Sequence, residues 1–238
     1  MHPLSLFLVI FLAAFTQSLT GFGSALVAMA VLPEMLGIQV AAPLVALVCG
    51  TLEVLLLVRY HPALRLKAVW RLAVAAIIGI PLGILAVGWL DEKIVMRALG
   101  LVLSGYGLYG LFNFRLPELR HPAWAYLAGF LAGLLGGAYN TNGPPVILYG
   151  NCRRWQPDEF KANLQGFFIL SSVLVIATHA FSHHLVSVVW RHFWITLPGV
   201  VLGVLSGISL DKRLNPTTFR RLVLVLLVVM GIRLVLTR

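Results

Sequence analysis

Two long apolar segments of this chain are each interrupted near their middle by a polar break that contains glycine. Residues 12–32 read LAAFTQSLTGFGSALVAMAVL, and residues 130–151 read FLAGLLGGAYNTNGPPVILYGN. The two breaks, at 20–24 and 140–145, lie 119 residues apart in a chain of 238. Broken apolar segments at matching places in two halves of a chain are typical of membrane transporters, whose substrate site lies near the middle of the bilayer.

The composition predicts an all-α polytopic membrane protein with no soluble domain. Hydrophobic residues make up 60% of the chain, charged residues only 11%, and the mean hydropathy is +0.94. Most of the apolar segments approach the ~20 residues that a helix needs to cross a bilayer. We expect a multi-pass protein of the cell inner membrane that contacts membrane lipids. The net charge is +10, and the Lys and Arg residues that carry it lie in short loops between spans. They therefore indicate orientation signals rather than a nucleic-acid partner.

The second half repeats the first. Trp70-Arg71 corresponds to Trp190-Arg191, and Gly79 and Gly83 correspond to Gly199 and Gly203, all at an offset of 120. The repeated unit contains four apolar segments. We place the N-terminal repeat at 1–117 and the C-terminal repeat at 118–238.

The distribution of Lys and Arg predicts that each broken segment is a re-entrant hairpin. If all eight apolar segments cross the membrane, the 18 basic residues divide nine and nine between the two sides. If each broken segment enters and leaves on the same side, they divide thirteen and five. The second distribution agrees with the positive-inside rule. Each unit then crosses three times, so the two repeats are inverted. A long tilted helix is the alternative for each broken segment.

The two breaks predict an anion site. Each begins a second half-helix whose N-terminus points toward the middle of the bilayer, where free N–H groups and the helix dipole favour negative charge. Glycine lets the backbone approach a ligand closely. The alternative is a close contact between helices without a ligand. The candidate substrate-binding residues of the breaks are Thr20, Gly21, Phe22, Gly23, Ser24, Asn140, Thr141, Asn142 and Gly143.

Four further polar residues are candidates for the same site. Gln17 lies one turn before the first break, and either donates to the cavity or joins two helices by a hydrogen bond. Lys161 either supplies positive charge to the anion or extends to the interface, and Gln165 follows it in the same span. Glu53 lies well inside a span and is the candidate proton carrier, because burial favours a neutral carboxyl group. The alternative for Glu53 is an ion pair with Arg59.

Enzyme and metal signatures are missing from the sequence. It contains no H-E-x-x-H, no G-x-S-x-G and no P-loop. His179 and His183 have the i, i+4 spacing of a metal pair, but no carboxylate or cysteine lies near them in sequence. We therefore expect neither an enzyme nor a bound metal or cofactor.

Three motifs resemble those of the TauE/SafE sulfite exporter family. They are Thr20-Gly21-Phe22-Gly23-Ser24 with Gln17 before it, the stretch from Gly136 to Pro145, and Phe160-Lys161-Ala162-Asn163-Leu164-Gln165, in which Lys161 stands where the family usually has Arg. The resemblance runs over essentially the whole chain. It implies a permease for sulfite, sulfoacetate, aromatic sulfonates or related anions. Asn140 and Asn142 stand where many relatives carry small residues.

Together these features predict a secondary transporter for sulfite or a small organosulfonate anion. We expect alternating access, proton coupling through Glu53, and a homodimer as one possible assembly. Two alternatives stay open at this point: a passive anion channel, and a membrane metal-binding protein built around His179 and His183.

Overall fold

The computed structural model describes residues 3–112, 117–210 and 216–237, which form ten α-helices and no strand. This confirms the prediction of an all-α polytopic protein. The helices are α1 (Pro3–Thr20), α2 (Ser24–Leu36), α3 (Ile38–Tyr60), α4 (Leu66–Trp89), α5 (Glu92–Phe112), α6 (Ala123–Tyr139), α7 (Gly143–Cys152), α8 (Pro157–Phe181), α9 (Ser187–Leu210) and α10 (Pro216–Thr237), with a 3-10 turn at His61–Ala63. The basic residues Arg115, Lys212, Arg213 and Arg238, which the charge count included, lie outside the described residues.

Each apolar segment with a break forms two helices. Between α1 and α2, Gly21 and Gly23 have φ values of 83° and 104°, which a residue with a side chain rarely adopts. Between α6 and α7, Asn140 takes the left-handed conformation with φ 57° and ends α6. Pro144 and Pro145 then occupy the first turn of α7, where a missing N–H costs little.

The two ends of the second broken segment lie together. Leu119, just before α6, donates its backbone N–H to the Cys152 carbonyl at the end of α7, at 3.2 Å. Arg153 Nη1 donates to the Leu119 carbonyl at 3.0 Å. Because α6 and α7 leave this end of the molecule and return to it, they form a hairpin.

The end of the first broken segment contacts the end of α10. Glu34, near the end of α2, forms an ion pair of 3.0 Å with Arg233, near the end of α10. If all eight apolar segments crossed the membrane, these two residues would lie on opposite sides. They meet at one end, which agrees with a hairpin for the second broken segment, the one that lies between them in the chain; that the first segment re-enters the membrane stays a prediction.

The helix packing is repeated when the two halves are exchanged. Helix α4 of the first half packs along α6 of the second half. Their counterparts in the repeat, α9 and α1, pack along each other as well. Close backbone contacts at corresponding glycines form both pairs. A Cβ added to Gly79 would lie 2.5 Å from the Phe130 carbonyl oxygen, and one added to its counterpart Gly199 would lie 3.0 Å from the Phe7 carbonyl oxygen. The glycine matches in the sequence therefore mark the places where two helix backbones touch.

Corresponding helices run antiparallel to each other. In the α5–α10 pair, Gly100 lies against Gly231 and Gly110 lies against Leu224. In the α3–α8 pair, Gly50 lies against Ile176, whereas Arg65 after the end of α3 meets Asn163 near the start of α8. Antiparallel counterparts are what an inverted repeat predicts; the inversion across a membrane and the repeat boundary at 117/118 stay predictions.

The outer surface of the helix bundle is apolar. Within the described residues, five helices are long and apolar enough to cross a membrane: α1, α3 with its 3-10 turn, α4, α8 over Glu159–Phe181, and α9. Trp89 and Phe181, at the ends of α4 and α8, are 86% and 85% exposed. Helix α7 has 10 residues and spans about 15 Å, too short to cross a bilayer of ~30 Å.

The α4–α6 contact yields a stability prediction. We expect Gly83→Ala to lower the melting temperature of the purified protein, because its Cβ would lie 2.9 Å from the backbone nitrogen of Ala138 on α6. Gly88→Ala on the same helix is the matched control, since nothing lies within 4 Å of its Cβ, and there alanine should stabilise by about 0.5–1 kcal/mol. Equal melting temperatures for the two variants would contradict the close packing.

Candidate functional site

A small cavity lies between the two breaks, in the interior of the helix bundle. It is formed by the starts of α2 and α7, where the two half-helices begin, and by side chains of α1, α3 and α8. Its lining residues are Gln17, Gly23, Ser24, Ala25, Leu26, Cys49, Glu53, Asn140, Thr141, Asn142, Gly143 and Phe168.

The polar groups of the first break are bonded to one another. Gln17 Oε1 accepts hydrogen bonds from the Ser24 backbone N–H, at 3.3 Å, and from the Ser24 hydroxyl. Gln17 Nε2 donates to Gln165 Oε1 at 3.4 Å, and Gln165 Nε2 donates to the Gly21 carbonyl at 2.7 Å. Gln17 therefore both lines the cavity and joins two helices, so each of its two sequence-based interpretations describes part of its environment.

The second break presents polar atoms without partners to the cavity. Asn140 and Thr141 are 3% and 1% exposed, and among the described residues neither Asn140 Nδ2 nor Thr141 Oγ1 has a hydrogen-bond partner. Asn142 donates through Nδ2 to the Ser171 hydroxyl at 2.9 Å. Because Pro144 and Pro145 carry no N–H, the start of α7 offers fewer backbone donors than α2, and the side chains here become the available donors.

Glu53 is buried in the cavity wall. It is 3% exposed, its Oε2 has no partner among the described residues, and the Ser172 hydroxyl lies within hydrogen-bonding reach of its carboxyl group. Arg59 instead lies over the Tyr60 ring, with its Cζ 5.8 Å from the ring centroid. Within the described part of the chain, no ion pair joins Glu53 to Arg59.

Most of the predicted site residues come together in this cavity, and five lie beside it. Thr20 and Phe22 line a neighbouring apolar cavity. The Cγ atom of Lys161 lies 3.1 Å from the position that a Cβ on Gly21 would take, and its Nζ lies 5.6 Å from the centroid of the Tyr60 ring. Gln165 contacts the back of the first break through its bond to the Gly21 carbonyl.

Besides Ala25 and Leu26 of the cavity lining, sequence reasoning missed four residues at the site. Cys49 precedes Glu53 by one helical turn, a spacing that places both side chains on one face of α3, and its Sγ lies 3.3 Å from Ser24 Oγ. Ser171, Ser172 and Phe168 enter from α8. Their place at the site depends on how α8 packs, which no local pattern in the sequence indicates.

The histidines form a pair outside this cavity. His179 Nδ1 lies 3.1 Å from His184 Nδ1, and His183 is in the turn after α8 with φ 56°. His179 and His184 line a second cavity with residues from the start of α3 and the end of α4. No group of three or more His, Cys, Asp or Glu side chains in the described ranges is arranged to hold a metal ion.

Comparison with known proteins gives one family match. The sequence model of the family described as Sulfite exporter TauE/SafE matches residues 6–234. This match covers nearly all of the chain, including both breaks and every residue of the cavity.

Two curated proteins are similar to this chain over most of their lengths. The "Probable sulfite/organosulfonate exporter TauE" of Cupriavidus necator is 29% identical over 232 residues, which cover 92% of this chain and 88% of that protein. The "Probable inner membrane transporter protein TsaS" of Comamonas testosteroni is 28% identical over 191 residues, covering 73% and 76%. No solved structure matches the chain.

Proposed function

Because this chain belongs to the sulfite exporter TauE/SafE family, it is a membrane transporter and not an enzyme, and we propose that its substrate is sulfite or a small organosulfonate. We further propose that it acts in the inner membrane as a proton-coupled secondary transporter. The names of the Cupriavidus and Comamonas relatives support both the substrate class and the membrane.

One observation carries the proposal: three residues that line a single cavity each carry a buried polar atom without a partner among the described residues. A buried polar group without a partner costs about 1–3 kcal/mol, so a native protein rarely keeps several in one place without a ligand to satisfy them. Asn140 Nδ2 and the Thr141 hydroxyl are hydrogen-bond donors, and sulfonate oxygens are acceptors. The N-termini of α2 and α7 add positive dipole ends at the same cavity.

Glu53 supplies the proposed coupling. An ionised carboxylate beside the substrate would repel it, whereas a protonated carboxyl group would be neutral and would donate a hydrogen bond. Anion binding therefore favours the protonated state of Glu53, and by linkage a bound proton favours anion binding. The substrate and the proton would occupy the cavity together.

Alternating access is the proposed transport mechanism. The two halves pack as counterparts, their corresponding helices run antiparallel, and the cavity lies between them. We propose that the halves are inverted repeats that rock about this cavity, with α1–α2 and α6–α7 as re-entrant hairpins.

The proposed topology predicts the side from which single cysteines are labelled. In a variant whose native cysteines are replaced, Met35→Cys and Ser182→Cys should react with an impermeant maleimide from the same side of the membrane. His121→Cys should react only from the other side. If the broken segments were kinked crossings, Ser182→Cys would share its side with His121→Cys and not with Met35→Cys.

The proposed site predicts weaker substrate binding when its amides are removed. We expect Asn140→Gly, which keeps the left-handed backbone, and Asn142→Ala to weaken sulfite binding by about tenfold to a hundredfold, the effect of losing a hydrogen bond to a charged group. Isothermal calorimetry on purified protein measures this. Asn151→Ala on the exposed part of α7 is the control, and wild-type affinity in both site variants would contradict the site.

The proposed coupling predicts that Glu53→Gln makes transport insensitive to a pH gradient. The amide keeps the size of the side chain but cannot gain or lose a proton. Vesicle uptake of an alkanesulfonate, which keeps one negative charge throughout the neutral pH range, should respond to an imposed gradient in the wild type and in Glu34→Gln. A wild type that ignores the gradient, or a Glu53→Gln variant that follows it, would rule out this role for Glu53.

A further inference from the structure

The neighbouring apolar cavity adjoins the cavity between the two breaks, which we call the anion cavity after its proposed ligand. It lies among α1, α2, α5 and α10, and it shares the wall residues Gly23 and Leu26 with the anion cavity. Its other lining residues are Thr16, Thr20, Phe22, Tyr106, Leu224 and Leu227.

The threonines of this cavity direct their hydroxyl groups to the backbone. Thr16 Oγ1 donates to the Leu12 carbonyl at 2.7 Å. Thr20 Oγ1 lies 2.8 Å from the Thr16 carbonyl and 2.5 Å from the Phe22 carbonyl. The ring of Phe22 packs edge-on against Tyr106, at a centroid distance of 6.4 Å. The cavity surface is hydrocarbon, although three of its eight lining residues, Thr16, Thr20 and Tyr106, carry hydroxyl groups.

The two breaks differ in polarity at corresponding positions. Ser24 begins α2 and Gly143 begins α7, and this correspondence aligns Phe22 with Thr141 and Gly21 with Asn140. The first break has its polar groups bonded within the protein and turns an aromatic side chain to the apolar cavity. The second break lines the anion cavity with Asn140 and Thr141, each of which has a buried polar atom without a partner among the described residues. A ligand that satisfies both breaks has a polar head and an apolar tail.

Gly23 leaves the wall between the two cavities thin. A Cβ at this position would have only Thr16 Cγ2 within 4 Å, at 3.4 Å, and the φ of 104° disfavours any side chain. A ligand that extends from one cavity into the other must therefore pass the backbone of Gly23 and the side chain of Leu26.

We infer that the substrate is an amphiphilic monoanion with a short apolar tail, whose sulfonate head contacts Asn140 and Thr141 and whose tail occupies the cavity beside Phe22, Tyr106 and Leu227. This inference rests on the proposed function, because it assigns a tail site to the same substrate. It makes Leu26 and Leu227 specificity-determining residues, and it makes sulfite a ligand of the head site alone.

A series of alkanesulfonates tests the tail site. Binding of sulfite and of methane-, ethane-, propane- and butanesulfonate is measured by calorimetry on the full-length protein in lipid nanodiscs. Each added methylene should raise affinity about fourfold until the tail fills the cavity, which is the effect of burying one methylene. Leu227→Phe should remove this rise in affinity for the longer alkanesulfonates. The measured quantity is the ratio of butanesulfonate affinity to sulfite affinity for the same variant. Leu26→Ala should extend the rise to longer tails.

Val229→Phe is the matched control, because Val229 is on the same helix with 58% of its surface exposed. It should leave the affinity ratio at the wild-type value. An affinity that does not change with tail length would overturn the tail site, and so would equal ratios for Leu227→Phe and Val229→Phe; either result means that a lipid chain or a packing void explains the cavity. A wild type that binds neither sulfite nor any sulfonate would overturn the proposed function itself.

Discussion

Backbone that leaves the helix inside a membrane must have its N–H and carbonyl groups bonded by the protein, and this requirement governs the whole molecule. At the first break, Gln165 from α8 reaches across to bond the Gly21 carbonyl, and Gln17 bonds the first N–H of α2. At the second break, Asn140 and Thr141 donate their backbone N–H groups back to the last turn of α6. Irregular backbone is tolerated at this depth only where such partners exist or where it lines a cavity.

The breaks need rigid neighbours, and the helices that pack closely against them at glycine residues provide this rigidity. Lipid tails are as apolar as the helix surfaces, so helices in a membrane associate through close packing rather than through the hydrophobic effect. Helix α6 carries the second break and lies along α4 through Gly79 and Gly133, while α1 carries the first and lies along α9 through Gly203. Each break is thereby held by a helix from the other half of the chain. The cavity between them depends on how the two halves pack.

The features that could be predicted from the sequence are the local ones. The helix ends at 20–24 and 140–143 follow from glycine, asparagine and proline, which the sequence places at both breaks. The partners of Gln165 could not be predicted, since its bond to Gly21 joins residues 144 positions apart. Phe22 shows the same limit: it lies between the two glycines of the first break, but it lines the apolar cavity and not the cavity between the breaks. Lys161 was predicted from its charge, yet the structure places its Nζ near Tyr60, outside the cavity lining.

The described lining of the anion cavity contains one carboxyl group and no Lys or Arg. An anion held there would be bound by neutral donors and helix dipoles, whose attraction is weaker than that of a fixed cation in the same low-dielectric surroundings. Weaker attraction suits a transporter, because the ligand has to leave as well as enter. It also makes the charge on Glu53 the largest electrostatic variable in the site. With no cation in the described lining to offset it, ionised Glu53 would disfavour the anion strongly, and protonated Glu53 would add a donor. We therefore propose that the protonation state of this one side chain changes the affinity of the whole cavity.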